Sequence, residues 1–168
     1  MAAEAGTPPG SGPDRGSLAW HWLFRFFYRV IRIADPAIRA GMRLTPRFLP
    51  RAVELDVAGR RSGRTRRVLV TLLTVSGGRF LGHPNGPTAW TMNLEAAGTA
   101  GLTLRDGTVQ RVIVIRLRAG PEREAVIQAT WSQQPTPANL VYWLARGHVR
   151  RVGVYYRLID EGDLKGEA

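Results

Sequence analysis

The chain contains no cysteine, which excludes disulfides, thiolate nucleophiles and cysteine-held metals. Histidine is nearly as scarce. His21, His83 and His148 stand far apart, at no ligand-like spacing, so no structural metal is expected. Lysine occurs once, at Lys165, and acids number 13 against 24 basic residues, for a formal net charge of +11. Almost all of that charge is therefore arginine, which prefers flat, bidentate partners such as phosphate and carboxylate. An Ala-, Gly- and Arg-rich composition raises the total by itself, so the placement of the charge carries more than its sum. The chain also lacks a long uncharged apolar run. Residues 17–34, SLAWHWLFRFFYRVIRIA, come nearest. Their Arg25, Arg29 and Arg32 would each cost roughly 2.5–3.5 kcal/mol at a bilayer centre, which argues against a transmembrane span.

What is present suits one folded domain: 168 residues, 44% of them hydrophobic. Residues 1–16 are rich in Gly, Pro and Ala and read as a disordered leader without the basic start of a secretory signal. Ser17 is a candidate N-cap, and Trp20, Phe24, Phe27 and Ile31 recur at helical spacing. Residues 17–34 thus read as an amphipathic helix with its arginines on one narrow stripe. It suits either an anionic membrane interface, as a peripheral contact on the cytoplasmic side, or the protein's own core. Asp35-Pro36 signals a second, short helix to about Arg43, and 17–50 form an N-terminal helical segment.

The domain proper is expected over 51–162, with 163–168 a tail. Val53–Val57 alternates apolar and charged residues, the mark of a half-buried strand. Arg67–Val75 reads as one long strand, Ser76-Gly77-Gly78 as a hairpin turn and Arg79–Gly82 as the return strand. A short helix is expected over 88–97, strands over 102–104 and 109–117 with a turn at Asp106-Gly107 between them, helices over 122–132 and 138–146, and a closing strand over 152–159. About six mostly antiparallel strands with peripheral short helices give an α+β, mainly β, small barrel.

Two stretches are candidates for chemistry. Five arginines, Arg60, Arg61, Arg64, Arg66 and Arg67, fall within eight positions broken by Ser62 and Gly63, directly before an apolar strand. Glycine and serine let backbone amides approach an anion, and the arginines add charge and forked donors. No Lys-Ser/Thr pair or helix follows, so this is not a Walker loop. A solvated, self-repelling loop tip is the plain alternative. The second stretch, His83-Pro84-Asn85-Gly86-Pro87-Thr88, ends a strand and opens a helix carrying Trp90 and Asn93 on one face. There the plain alternative is a helix anchored by Trp90 and Leu94. No aromatics flank the arginine turn for base stacking, which counts against nucleic acid.

Together, GRRSGRTRR, the apolar strand, the glycine turn, GHPNGP and W-x-x-N-L resemble the deazaflavin-dependent nitroreductase family over roughly residues 53–117, with weaker agreement to Leu158. That family consists of split β-barrel proteins that bind coenzyme F-420. The resemblance implies that Arg60, Ser62, Gly63, Arg64, Arg66 and Arg67 hold the cofactor's phosphate and polyglutamate tail. It implies that His83, Pro84, Asn85 and Gly86 approach the phosphate and ring edge, and that Trp90 and Asn93 shape the pocket. Tyr142 is the best match to a proton-donating tyrosine, with an aromatic core contact as its alternative. The implied activity is hydride transfer from the reduced cofactor to an electron-poor acceptor, a lipophilic membrane quinone or a nitro compound. The alternatives are a non-catalytic carrier of cofactor or fatty acid with the same fold, and an FMN-binding relative. The chain departs from the family's usual pattern at Leu81–Gly86. Of Tyr155 and Tyr156, one is expected to point inward. His148 is expected in a solvated basic loop. Oligomeric state is left open.

Overall fold

The structure, a computed structural model, describes residues 15–44, 49, 51–104, 106–134, 136 and 138–162; the expected tail and all but the end of the expected leader lie outside them. A long helix α1 (Arg15–Leu44) precedes strands β1 (Ala52–Ala58), β2 (Thr65–Thr71), β3 (Leu73–Val75) and β4 (Gly78–His83). Helix α2 (Ala89–Ala97), strands β5 (Thr99–Thr103) and β6 (Val109–Arg116), and helices α3 (Pro121–Ser132), α4 (Ala138–Leu144) and α5 (Arg146–Val152) follow, before strand β7 (Val154–Asp160). The strands form one antiparallel sheet in the order β2-β1-β5-β6-β7-β4-β3. This is the expected α+β split barrel, with seven strands in place of six.

The extra strand comes from a break. The apolar run expected as one strand is interrupted at Leu72, whose amide bonds the carbonyl of Arg51 at 2.8 Å. Before the break, β2 pairs with β1; after it, β3 pairs with β4 through the tight turn at Ser76 and Gly77, both at positive φ. β2 and β3 lie at opposite edges of the sheet with one residue between them, so the sheet curls until its edges approach.

Curling gives the sheet an inside and an outside, each with its own core. Inside, Val53, Leu55 and Val57 of β1 meet Leu81, Leu102, Val112 and Tyr156, with Leu94 of α2 buried among them. Outside, Phe80 of β4 and Tyr155 of β7 pack against α1, α3, α4 and α5 through Phe24, Ile127, Tyr142 and Val149. Tyr155 and Tyr156 are therefore both buried, one on each face, as the two-residue repeat of a strand requires. As expected, one of the pair points inward: Tyr156 enters the inner core, and Tyr155 faces the outer one, which the helices cover.

Two helix expectations are corrected. Residues 15–44 form one helix that runs through Pro36. Proline loses a backbone donor in a helix interior, but its ring holds φ near the helical value, so Asp35-Pro36 does not start a new element here. Residues 146–152, RGHVRRV, form α5 where a loop was expected. Their polar pattern hides that His148 and Val149 are the buried face.

The outer core has one tight contact that a mutation can probe. A Cβ at Gly82 would stand 2.4 Å from Cε1 of Tyr155, and one at Gly153 would stand 2.8 Å from its Cε2. These two glycines make room for the tyrosine ring. Gly82→Ala is expected to lower unfolding stability by about 1–3 kcal/mol through overpacking. A urea midpoint equal to that of the parent protein would show that the ring can shift at no cost.

Candidate functional site

The arginine turn joins β1 to β2, whose register pairs Ala58 with Thr65. The turn is closed by its own backbone: Gly59 N–H donates to Arg64 O at 3.0 Å, and Ser62 and Gly63 N–H donate to Gly59 O at 3.2 and 2.7 Å. Gly63 has φ +65° with open space where a Cβ would be, so conformation rather than crowding calls for glycine there. The Arg60 amide donates to Asn93 Oδ1 at 3.3 Å. That bond ties the turn to the buried side of α2, and brings together the two candidate stretches of the sequence.

The strand repeat then divides the arginines. Arg66 pairs across the hairpin with Val57, on the inner face; Arg67 pairs with Asp56, on the outer one. Arg67 is held there by a two-pronged contact to Asp56 at 2.8 and 2.7 Å and by Glu54 at 3.5 Å, which raise its pKa further. It is thus engaged by carboxylates of its own chain. Arg60, Arg61, Arg64 and Arg66 are exposed, and among the described residues no carboxylate pairs with them. Ser62 is exposed in the same turn.

The second stretch faces elsewhere. His83, Pro84, Asn85 and Gly86 are all buried. His83 Nδ1–H donates to the Gly86 carbonyl at 2.9 Å, and the Tyr28 ring of α1 lies 4.7 Å from the imidazole. Burial, opposed only by that carbonyl, lowers the His83 pKa to about 4, so at neutral pH it is an uncharged donor rather than a phosphate-binding cation. Asn85 Oδ1 accepts from His148 Nε2 at 2.8 Å and from His21 Nδ1 at 3.2 Å, while its Nδ2 donates to the His21 carbonyl at 3.3 Å. The side chains of this stretch therefore bind α1 and α5. His148 is buried in this network, not solvated, and its pKa is lowered by burial and then by His21 and Arg151. No spacing in the sequence marks this cluster; only the fold brings the three histidines to one loop.

Helix α2 starts with Thr88 N–H bonded to Thr91 Oγ1 at 2.7 Å and ends at Gly98 in the left-handed region. Trp90 is half-buried against the inner core, its ring edge-on to His83 at 6.1 Å. Asn93 is buried and holds the arginine turn. Tyr142 is not at this site. It lies buried in the outer core, stacked on Phe24 at 5.7 Å with its hydroxyl 3.4 Å from that of Tyr28, and burial raises its pKa. Its aromatic-contact alternative describes its place in the fold.

No protein-family model matches the chain, and no curated protein matches it. Among solved structures, one described as a domain-swapped dimer aligns over 82% of this chain and 98% of its own, with TM-score 0.52 and 19% identity. An F420-H2 dependent reductase, FDR-A, aligns over 64% of this chain and 93% of its own, with TM-score 0.46 and 16% identity. HutZ, the heme storage protein from Vibrio cholerae, aligns over 66% of this chain and 82% of its own, with TM-score 0.49 and 12% identity. The likeness is one of fold.

The buried histidines give the protein a pH dependence. An unfolded histidine titrates near 6.5 and folded His83 near 4, so between these values the unfolded chain binds more protons. Stability is full above about pH 6.5 and falls as pH drops toward 4, by about 2–3 kcal/mol from His83 alone. His148 acts in the same direction. Urea unfolding followed from pH 7 to pH 4 should show this slope, and His83→Asn should flatten it; an equally steep slope in that variant would place the titration elsewhere.

Proposed function

We propose that this chain is a split-barrel oxidoreductase whose arginine turn holds the anionic arm of a deazaflavin cofactor, coenzyme F-420. One observation carries the reading: Arg60, Arg61, Arg64 and Arg66 stand together and exposed on a turn fixed to Asn93, while their neighbour Arg67 is held by acids of its own chain. Four like charges held this close repel one another unless an anion joins them. The donor set fits a phosphate with a carboxylate tail: forked guanidinium groups for the oxygens, and a glycine turn that lets a chain pass close. The single phosphate of FMN needs fewer arginines, which makes FMN the second choice.

When bound, the reduced deazaflavin supplies a hydride from its ring to an electron-poor acceptor, for which a lipophilic quinone or a nitro compound is the proposed class. The chain's part is to bind and orient. The arginines neutralise the tail, the Arg60–Asn93 bond sets the turn against α2, and Trp90 offers an aromatic edge at the start of that helix. Tyr142 does not serve as proton donor in this reading, because its hydroxyl is buried against Tyr28. That same burial favours one other reading, a carrier that binds the cofactor without turning it over.

Tryptophan-fluorescence titration with F-420, and separately with FMN, tests the proposal. Saturable quenching by F-420 is expected, weakened roughly ten- to hundredfold in an Arg60→Ala/Arg64→Ala variant at low salt and less so at high salt. Equal affinity in parent and variant removes the turn from the site. Tyr142→Phe should leave the oxidation rate of bound reduced cofactor by a soluble quinone within about twofold, since the lost hydroxyl faces the core. A much larger drop would return Tyr142 to the mechanism, and no oxidation in the parent protein would leave the carrier.

A further inference from the structure

Helix α1 has three rows of side chains with different surroundings. Phe24 and Tyr28 face inward: Phe24 is buried, stacked on Tyr142 and His148, and Tyr28 lies over His83. Trp22, Phe26 and Val30, spaced at i, i+4 and i+8, face outward. Trp22 is 64% and Phe26 68% exposed. Leu18, Leu23 and Phe27 widen the same apolar strip and are also exposed. Between the two rows stand Arg25 and Arg29, exposed, with the Arg25 guanidinium 5.1 Å from the centre of the Trp22 ring.

A helix that is apolar on both sides has two faces to cover, and the described residues cover one. Scattered surface hydrophobics need no explanation, but a contiguous strip of large aromatic side chains does. The charge beside the strip indicates what would cover it. It is positive, in a chain of net charge +11, and arginines bordering aromatics suit an interface where rings sit at headgroup depth and guanidinium groups meet lipid phosphates. The same pairing recurs on α4–α5, where exposed Trp143 carries the Arg146 guanidinium 4.5 Å from its ring centre. Among the described residues no helix is long and apolar enough to cross a membrane, so the contact lies along the surface.

We infer that the outer face of α1 docks the folded protein on an anionic phospholipid membrane, with Trp22, Phe26 and Val30 entering the headgroup boundary and Arg25 and Arg29 meeting the phosphates. The helix stays part of the domain, because its other face belongs to the core. The inference is independent of the cofactor reading.

The test uses the full chain, co-sedimented with phosphatidylcholine vesicles with and without phosphatidylglycerol. Binding is expected to the anionic vesicles, with a blue shift of tryptophan emission, and is expected to weaken as salt rises. A Trp22→Ser/Phe26→Ser variant should lose at least about tenfold in binding, and Arg25→Gln/Arg29→Gln about tenfold. All four side chains are exposed, and thermal unfolding verifies that both variants fold. Absence of binding in the parent, equal binding to neutral vesicles, or binding unchanged in both variants overturns the inference. So does a self-associated parent, without vesicle binding, that the Trp22/Phe26 variant renders monomeric in sedimentation velocity; the strip would then face a second copy.

Discussion

A single residue, Leu72, separates two strands that occupy opposite edges of the sheet. Chain connectivity across so short a link leaves no flat arrangement of seven strands: the sheet has to bend until its edges meet. Everything else follows from that closure. The inner face becomes a closed apolar core lined by β1, β5, β6 and β7, and the outer face of β3, β4 and β7 becomes a platform for helices. Adjacent tyrosines on β7 then fall into different cores, and Gly82 and Gly153 leave room for the outer ring. The arginine turn lies at the end of the β1–β2 hairpin, where α2 can reach it through Asn93.

The second organising contact is polar. Asn85, in the loop after β4, holds His21 of α1 and His148 of α5 with one side-chain oxygen. A buried amide oxygen with two lone pairs can accept both donors, and leaving either donor unpaired in this core would be costly. Thus the loop whose motif suggests a cofactor contact also fastens the N-terminal helix. This is why α1 is an integral part of the domain. It also separates the two proposals: the anion-binding turn depends on the β1–β2 hairpin and α2, while the membrane-facing strip depends on how α1 is held.

Much of the framework is legible in the chain's local pattern. The alternation in Val53–Val57, the glycine turn at 76–78, the aspartate-glycine turn before β6 and the helical stretches near 88–97 and 122–132 are local signals, set by side-chain period and turn chemistry. The arginine cluster is visible for the same reason. What the local pattern cannot show is which long-range partner a residue finds. VLVTLLTV has the same strand propensity throughout, so the break at Leu72 is invisible until one half pairs with β1 and the other with β4. Arg66 and Arg67 are neighbours of equal charge, and only strand register gives one to the inner rim and the other to Asp56.

The histidines make the same point. Read singly, His83 suggests a ligand contact and His148 a solvated loop; folded, both are buried, His83 on the Gly86 carbonyl and His148 on Asn85. Tyr142 likewise reads as a candidate donor until Phe24 and Tyr28, more than a hundred positions earlier in the chain, close over it. The strands, the turns and the position of the densest charge are legible along the chain, because each depends on residues within a few positions of one another. Which charges are paired, which polar groups are buried and which face of α1 is exposed follow only from the folded contacts, because these join residues that the chain keeps far apart.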